Sequence, residues 1–312
     1  MGNNVRILVL GATGFIGSKL SERLILDGFD VVQSSSKDCN LTNYSQVLKK
    51  LKVVKPDVIF NLAAFVGNVH FGISHSGDIS TDNLVMVINL YKAIKESGVK
   101  PIVISTIANC SYPSDADVQS EDKWWDGMPD ESALAYASSR RMQFVIAQSY
   151  YDQYKIDTRN IILPGVYGPG DHLDEKRVHA LDGIIMRMIE TIRNNEEEFE
   201  VWGTGKPIRE WIYIDDVVNL LIETMSKKNI NMIYPINLAQ KKGYSIKELA
   251  EMISESLGFE GRIVFNDGYH DGAAIKVLDN KKFKETYGDY SFKSIIEGIR
   301  ESARYYNGNI MQ

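Results

Sequence analysis

Gly11, Gly14 and Gly17 recur at every third residue, directly after the apolar run Val5-Arg-Ile-Leu-Val-Leu10. Phe15, Ile16, Leu20, Leu24 and Ile25 then repeat at helical spacing up to Gly28. A glycine-rich turn between a strand and a helix constrains this chain more than any other feature. One glycine permits the tight turn, one lets backbone approach a pyrophosphate, and one lets helix and strand touch. The anion then rests on the helix N-terminus. The pattern predicts a βαβ unit that holds a dinucleotide, with Gly11, Thr13, Gly14, Phe15, Ile16 and Gly17 around the phosphates.

The rhythm continues downstream. Strands are expected over Phe29–Val32, Val58–Leu62, Ile102–Ser105 and Thr158–Leu163, with helices over Tyr44–Leu51, Leu84–Ile94 and Ala135–Tyr150 between them. Such alternation means an α/β protein with a doubly wound parallel Rossmann sheet. After Pro169 the order is less regular. A helix is expected over His179–Ile192, a strand over Glu210–Ile214 and a helix from Asp215 to Met225. Ser245 with Glu248 three residues on is a capping box that opens another helix. The acidic run Glu196 to Glu200 is expected in a solvated loop. Residues 1–168, with a return near 211–240, are expected to form the dinucleotide-binding domain. Residues 169–210 and 241–312 are expected to form a smaller substrate-binding lobe, which suits a length of 312 residues.

Charge and cysteine content narrow the function. Lys and Arg number 35 against 41 Asp and Glu, a net charge of −6, so no basic face for nucleic acid is expected. No apolar run is long enough to span a bilayer, and no basic leader precedes a cleavable apolar segment, so a cytoplasmic protein is expected. Two cysteines exclude a disulfide framework. No metal site is expected. At the end of the second strand the sequence reads Gln33-Ser-Ser-Ser-Lys37, without the acid that NAD usually requires there. Ser35, Ser36 and Lys37 suit a 2′-phosphate, so NADP is favoured, and NAD stays possible because Asp38 can turn inward.

These features, with Asn61-Leu-Ala-Ala64, Tyr136 followed four residues on by Arg140, and Arg209-Glu-Trp-Ile-Tyr-Ile-Asp-Asp216, resemble the extended short-chain dehydrogenase/reductases. Within them the chain is most similar to the GDP-L-fucose synthases. That likeness rests on Asn109-Cys-Ser-Tyr-Pro113, Val166-Tyr-Gly-Pro169, His179 with Arg187, Val201-Trp-Gly-Thr-Gly205 and Asp271-Gly272 before Leu278-Asp279.

The resemblance implies an NADP-dependent epimerase/reductase acting on a nucleotide-diphospho-sugar, a GDP-linked 4-keto(-6-deoxy) hexose, and a homodimer. It implies that Tyr136 is the acid at the sugar C4 oxygen and that Arg140 stands where the family has lysine. It also implies that Cys110 and His179 exchange protons beside the keto group. Leu62, Ala63, Ala64, Pro164 and Val166 would line the cofactor, and Arg187, Trp202, Arg209 and Asp271 the nucleotide sugar. A phenol, with its ordinary pKa of about 10, needs a nearby cation to serve near neutral pH, and residues 136 and 140 share a helix face. A planar guanidinium does not simply replace an ammonium. The family's hydroxyl, four residues before the tyrosine of the Tyr-Pro pair, is Ala108 here. Two other readings stay open at this stage. One is a 4-epimerase or dehydratase that retains NAD; the other is a non-catalytic binder on the same scaffold.

Overall fold

The computed structural model describes residues 5–67, 69–174, 177–227 and 232–309. The first five strands are β1 (Arg6–Leu10), β2 (Asp30–Ser34), β3 (Val58–Asn61), β4 (Ile102–Ala108) and β5 (Thr158–Leu163). The chain then leaves for β6 (Gly165–Tyr167), β7 (Glu198–Trp202) and β8 (Ile208–Tyr213), and returns for β9 (Ile236–Asn237). The main sheet is parallel, in the order β2-β1-β3-β4-β5-β9. Its helices are α1 (Phe15–Leu26), α2 (Tyr44–Val54), α3 (Val69–Ser74), α4 (Ser76–Ser97) and α5 (Leu134–Tyr154). Beyond them come α6 (Ala180–Arg193) and α7 (Ile214–Ser226).

Why the sheet is wound on both faces is visible in β1. Ile7 and Val9 join the core under α1 and α7, whereas Leu8 and Leu10 join a second cluster under α2 and α4. Alternate residues of a strand point to opposite faces, so an unbroken apolar strand needs helices on both sides. All of these β1 residues are buried.

The second lobe is built on β8, which pairs with β6, with β10 (Gly243–Ser245) and with β12 (Ile275–Lys276). β7 pairs separately with β11 (Arg262–Asn266). Helices α6, α8 (Ile246–Leu257) and α10 (Ile295–Asn309) cover it, and α9 (Lys281–Tyr287) lies near β9. The capping box at Ser245 forms: its hydroxyl accepts from Glu248 N–H at 3.1 Å, and its own N–H donates to the Glu248 carboxylate at 2.7 Å. The apolar cluster under α1 and α7 continues through Leu181, Ile185 and Met188 to Leu249 and Ile299, so one core joins both lobes.

Two expectations are corrected here. The acidic run is not a loop: Glu198 to Trp202 is strand β7, with Phe199 and Val201 buried and the glutamates outward. Charge on one face of an alternating strand is ordinary, and the run of glutamates masked the alternation. β6 pairs with β8, and the next helix, α7, begins at Ile214 and packs against α1. The helix expected from Leu84 begins eight residues earlier, at Ser76.

Candidate active site

The carboxyl ends of β1, β3, β4 and β5 open on one edge, beside the point where the strand order reverses, the usual ligand crevice of such sheets. Gly11 leaves β1 with φ of +80°, and a Cβ there would stand 2.9 Å from Ala63 N. A Cβ on Gly17 would lie 2.1 Å from the Gly11 carbonyl oxygen. Only glycine permits this closeness of turn and helix. Gly14 is the N-cap of α1 and no side chain caps that end, which leaves first-turn N–H groups for an anion. The cradle therefore fits a dinucleotide pyrophosphate. Thr13 is exposed and Ile16 half-buried, while Phe15 sits in the core, so Phe15 offers backbone only. The same correction applies to Val166, whose side chain is core and lies just after buried Pro164. Leu62 and Ala63 are half-buried and Ala64 exposed, on the loop after β3.

Beyond the end of β2, Asp38 stays exposed and is tied to its own turn. Its carboxylate accepts from Ser34 Oγ at 3.0 Å and Ser35 N–H at 2.6 Å, and pairs with the Lys50 ammonium. Burial works against ionisation, yet Lys50 and these donors hold the carboxyl at about 2. Its charge is thus neutralised from within, and Ser36 and Lys37 remain exposed beside it.

Tyr136 and Arg140 lie on the first turns of α5, with the guanidinium carbon 4.9 Å from the phenol ring centroid. The cation lies over the ring, where its rigid fork packs flat. Arg140 Nη2 donates to Asn83 Oδ1 at 2.8 Å and to Ala63 O at 3.4 Å, and Nη1 to Gln143 Oε1 at 2.7 Å. Its Nε is buried without a partner among the described residues. An unpaired buried donor next to the cradle suits a ribose hydroxyl. No neighbouring serine replaces the hydroxyl missing at Ala108. Ser111 donates to Ala108 O at 2.8 Å and accepts from Trp124 Nε1 at 2.8 Å, and Ser105 is wholly buried facing Asn61.

Cys110 follows β4. Burial pushes its thiol up, while Lys276 and Arg140 pull it down and Asp130 opposes them. Lys276 is opposite Arg209 in the β12–β8 pairing, and burial lowers its ammonium. His179, the N-cap of α6, sets its ring 5.7 Å from that of Phe15, at the rim of the cradle. It is held there by Asp171, whose carboxylate meets Nδ1 at 2.9 Å.

The nucleotide-sugar candidates gather in the small lobe. Trp202 is exposed and stacks on Tyr269 at 5.1 Å, and Arg187 lies 4.2 Å over the indole. Arg187 also donates to Glu200 O at 2.9 Å, so it is already anchored to the strand that carries Trp202. Asp271 braces the loop before β8, accepting from Thr204 N–H at 2.8 Å and Oγ1 at 2.6 Å. Arg209 Nη2 donates to Asp271 O at 3.0 Å, and burial lowers its guanidinium.

The sequence model of the NAD dependent epimerase/dehydratase family matches residues 7–236. The chain belongs to that family. It is 26% identical over 308 residues to the GDP-L-fucose synthase of Dictyostelium discoideum, covering 97% of this chain and 95% of the other. A GDP-L-fucose synthetase from Naegleria fowleri bound to NADP superposes with a TM-score of 0.89 at 25% identity, covering 100% of this chain and 95% of that one. A GDP-mannoheptose C4 reductase from Campylobacter jejuni with NADP bound gives 0.85 at 25% identity, covering 98% and 99%.

Sequence reasoning missed four residues of this site. Asn83 and Asp171 hold Arg140 and His179, Lys50 neutralises Asp38, and Lys276 stands by Cys110. Only Lys50 left a signal, an amphipathic helix carrying Lys on the side that follows β2. The others meet their partners across the fold, where spacing is silent.

Proposed function

We propose that this protein is an NADP-dependent epimerase/reductase acting on a GDP-linked 4-keto(-6-deoxy) hexose. The observation that carries the reading is the seating of Tyr136 and Arg140 beside the glycine cradle, with His179 at its rim and Cys110 at the end of β4. The relatives named GDP-L-fucose synthase and the NADP-bound structure support it. Gly11, Gly14 and Gly17 would hold the pyrophosphate, Ser35, Ser36 and Lys37 the 2′-phosphate, and Ala63 with Arg140 the nicotinamide ribose. Bound NADPH supplies a hydride to the sugar C4. Tyr136 gives a proton to the C4 oxygen, and Arg140 balances the charge left on the phenol. Cys110 removes a proton from a carbon beside the keto group and His179 returns one on the opposite face. Arg209 and Arg187 steer the diphosphate, and Trp202 with Asp271 borders the base and ribose.

The test is cofactor titration by intrinsic fluorescence followed by turnover with a GDP-linked 4-keto sugar. NADPH is expected to bind at least about tenfold more tightly than NADH, because a fixed-charge contact to a 2′-phosphate contributes roughly 1.5–3 kcal/mol. Tighter binding of NADH would sink the NADP assignment. Arg209→Ala is expected to weaken binding of the GDP-sugar by about ten- to a hundredfold on the same grounds, with cofactor affinity unchanged. Calorimetry with GDP-sugar showing no loss would remove Arg209 from the diphosphate site.

We infer also that the protein acts in the cytoplasm as a homodimer. Both cysteines are free, as suits a reducing compartment, and α4 and α5 expose Ile88 and Met142 for a partner.

A further inference from the structure

The loop between β6 and α6 ends in an unusual concentration of donors on one acid. The side chain of Asp171 is wholly buried. It accepts from His172 N–H at 2.8 Å, from His179 N–H at 2.8 Å and from His179 Nδ1 at 2.9 Å. The other ring nitrogen, Nε2, makes no hydrogen bond among the described residues, and 49% of the His179 side chain is exposed. One edge of the imidazole is thus clamped and the other is free at the rim of the cradle.

We propose that Asp171 is a positioning residue that commits His179 to the Nδ1–H tautomer and makes Nε2 the nitrogen that meets the sugar. The inference rests on the reading that His179 exchanges a proton with a carbon next to the keto group. An ionised carboxylate can only accept, so the proton between it and Nδ1 belongs to the ring. Neutral His179 then carries its lone pair on Nε2. When charged, it carries its transferable proton there.

The step balances without Asp171 changing state. Cys110 thiolate takes the C–H proton and becomes a thiol, and the bonding pair is delocalised onto the C4 oxygen as an enolate. The Nε2–H proton of the imidazolium passes to the opposite face of the carbon, the enolate pair forms the new C–H bond, and the ring becomes neutral. Asp171 remains an anion throughout, orienting the ring and balancing its charge.

The surroundings suit an anion at this one position. Burial disfavours charge on Asp171, but the hydrogen bond and charge of His179, with two backbone N–H groups, hold its carboxyl below the usual range. Asp182, facing it from α6, is pushed the other way by burial and by the Asp171 charge. His172, Asp174 and Arg177 of the same loop are further charged or basic neighbours among the described residues, and Tyr306 of α10 is tied by its hydroxyl to Gly168 O at 3.0 Å.

The test is long-range ¹H–¹⁵N NMR of the full chain labelled with ¹⁵N-histidine, with the His179 signals assigned by their loss in His179→Gln. At alkaline pH the parent is expected to show a protonated Nδ1 and a bare Nε2. A parent ring protonated at Nε2 overturns the proposal without any change to Asp171. In Asp171→Asn the tautomer preference is expected to relax or reverse. Deuterium exchange into a GDP-linked 4-keto sugar is then expected to fall by about ten- to a hundredfold, the usual cost of losing an orienting partner. An unchanged tautomer with unchanged exchange in this variant also overturns it, leaving Asp171 as a loop anchor. A parent that exchanges no deuterium overturns the proton role of His179, while the tautomer measurement still decides what Asp171 does to the ring.

Discussion

Tyr136→Phe is expected to slow NADPH-dependent reduction of a GDP-linked 4-keto sugar by about 10²–10⁴-fold, the usual contribution of a positioned acid. The substitution removes one oxygen and keeps the ring. Arg140 can still lie over the ring face, and its bonds to Asn83, Gln143 and Ala63 do not involve the hydroxyl. Cofactor affinity should therefore stay within about twofold, so the loss falls on the chemical step. Single-turnover stopped-flow at the NADPH absorbance separates the two. The same assay addresses Ala108, where the family has a hydroxyl. Ser105 and Ser111 are both engaged elsewhere, so Ala108→Ser should raise the single-turnover rate if that missing donor limits it. A phenylalanine variant as fast as the parent would move the proton source away from α5.

How far the sequence carries this site depends on the range of each interaction. The glycine cradle was legible because its determinants lie within seven consecutive residues, Gly11 to Gly17, and a Cβ at the last would meet the first. Tyr136 and Arg140 were legible because one helical turn separates them. The doubly wound sheet followed from strands apolar on both faces, as in β1. By contrast, nothing in the spacing of residues 171 and 179 announces a carboxylate–imidazole contact, since the loop between them has no repeat. Lys276 acts on Cys110 from β12, more than 160 residues along the chain. The acidic strand β7 was missed for a local reason: its partner β11 lies far along the chain, and without that partner Glu198 and Glu200 look merely solvated. Phe15 and Val166 show the complementary error, in which a correct motif position points its side chain to the core.

Cys110→Ser is expected to remove nearly all deuterium exchange at the carbons beside the keto group, by about 10²-fold or more, while reduction at C4 continues. A thiolate is a far more accessible base than an alkoxide, and serine keeps the size of the side chain. The pH dependence carries a definite sign. Burial raises the Cys110 thiol above its ordinary value, against the pull of Lys276 and Arg140. Thiolate is therefore scarce at neutral pH and grows more abundant as pH rises, so exchange in the parent should climb with pH through the alkaline range. Removing a nearby cation raises the thiol further. Lys276→Met should thus displace the exchange profile to higher pH and slow exchange at any fixed pH below its plateau. Mass spectrometry of a GDP-linked 4-keto sugar incubated in heavy water reads both effects. A serine variant that exchanges at the parental rate would exclude Cys110 as the base. A parent that reduces the ketone with no exchange would be a C4 reductase, like the function named for the Campylobacter structure it resembles. In that event the half-buried, upshifted thiol would be read as a small packed side chain at the end of β4.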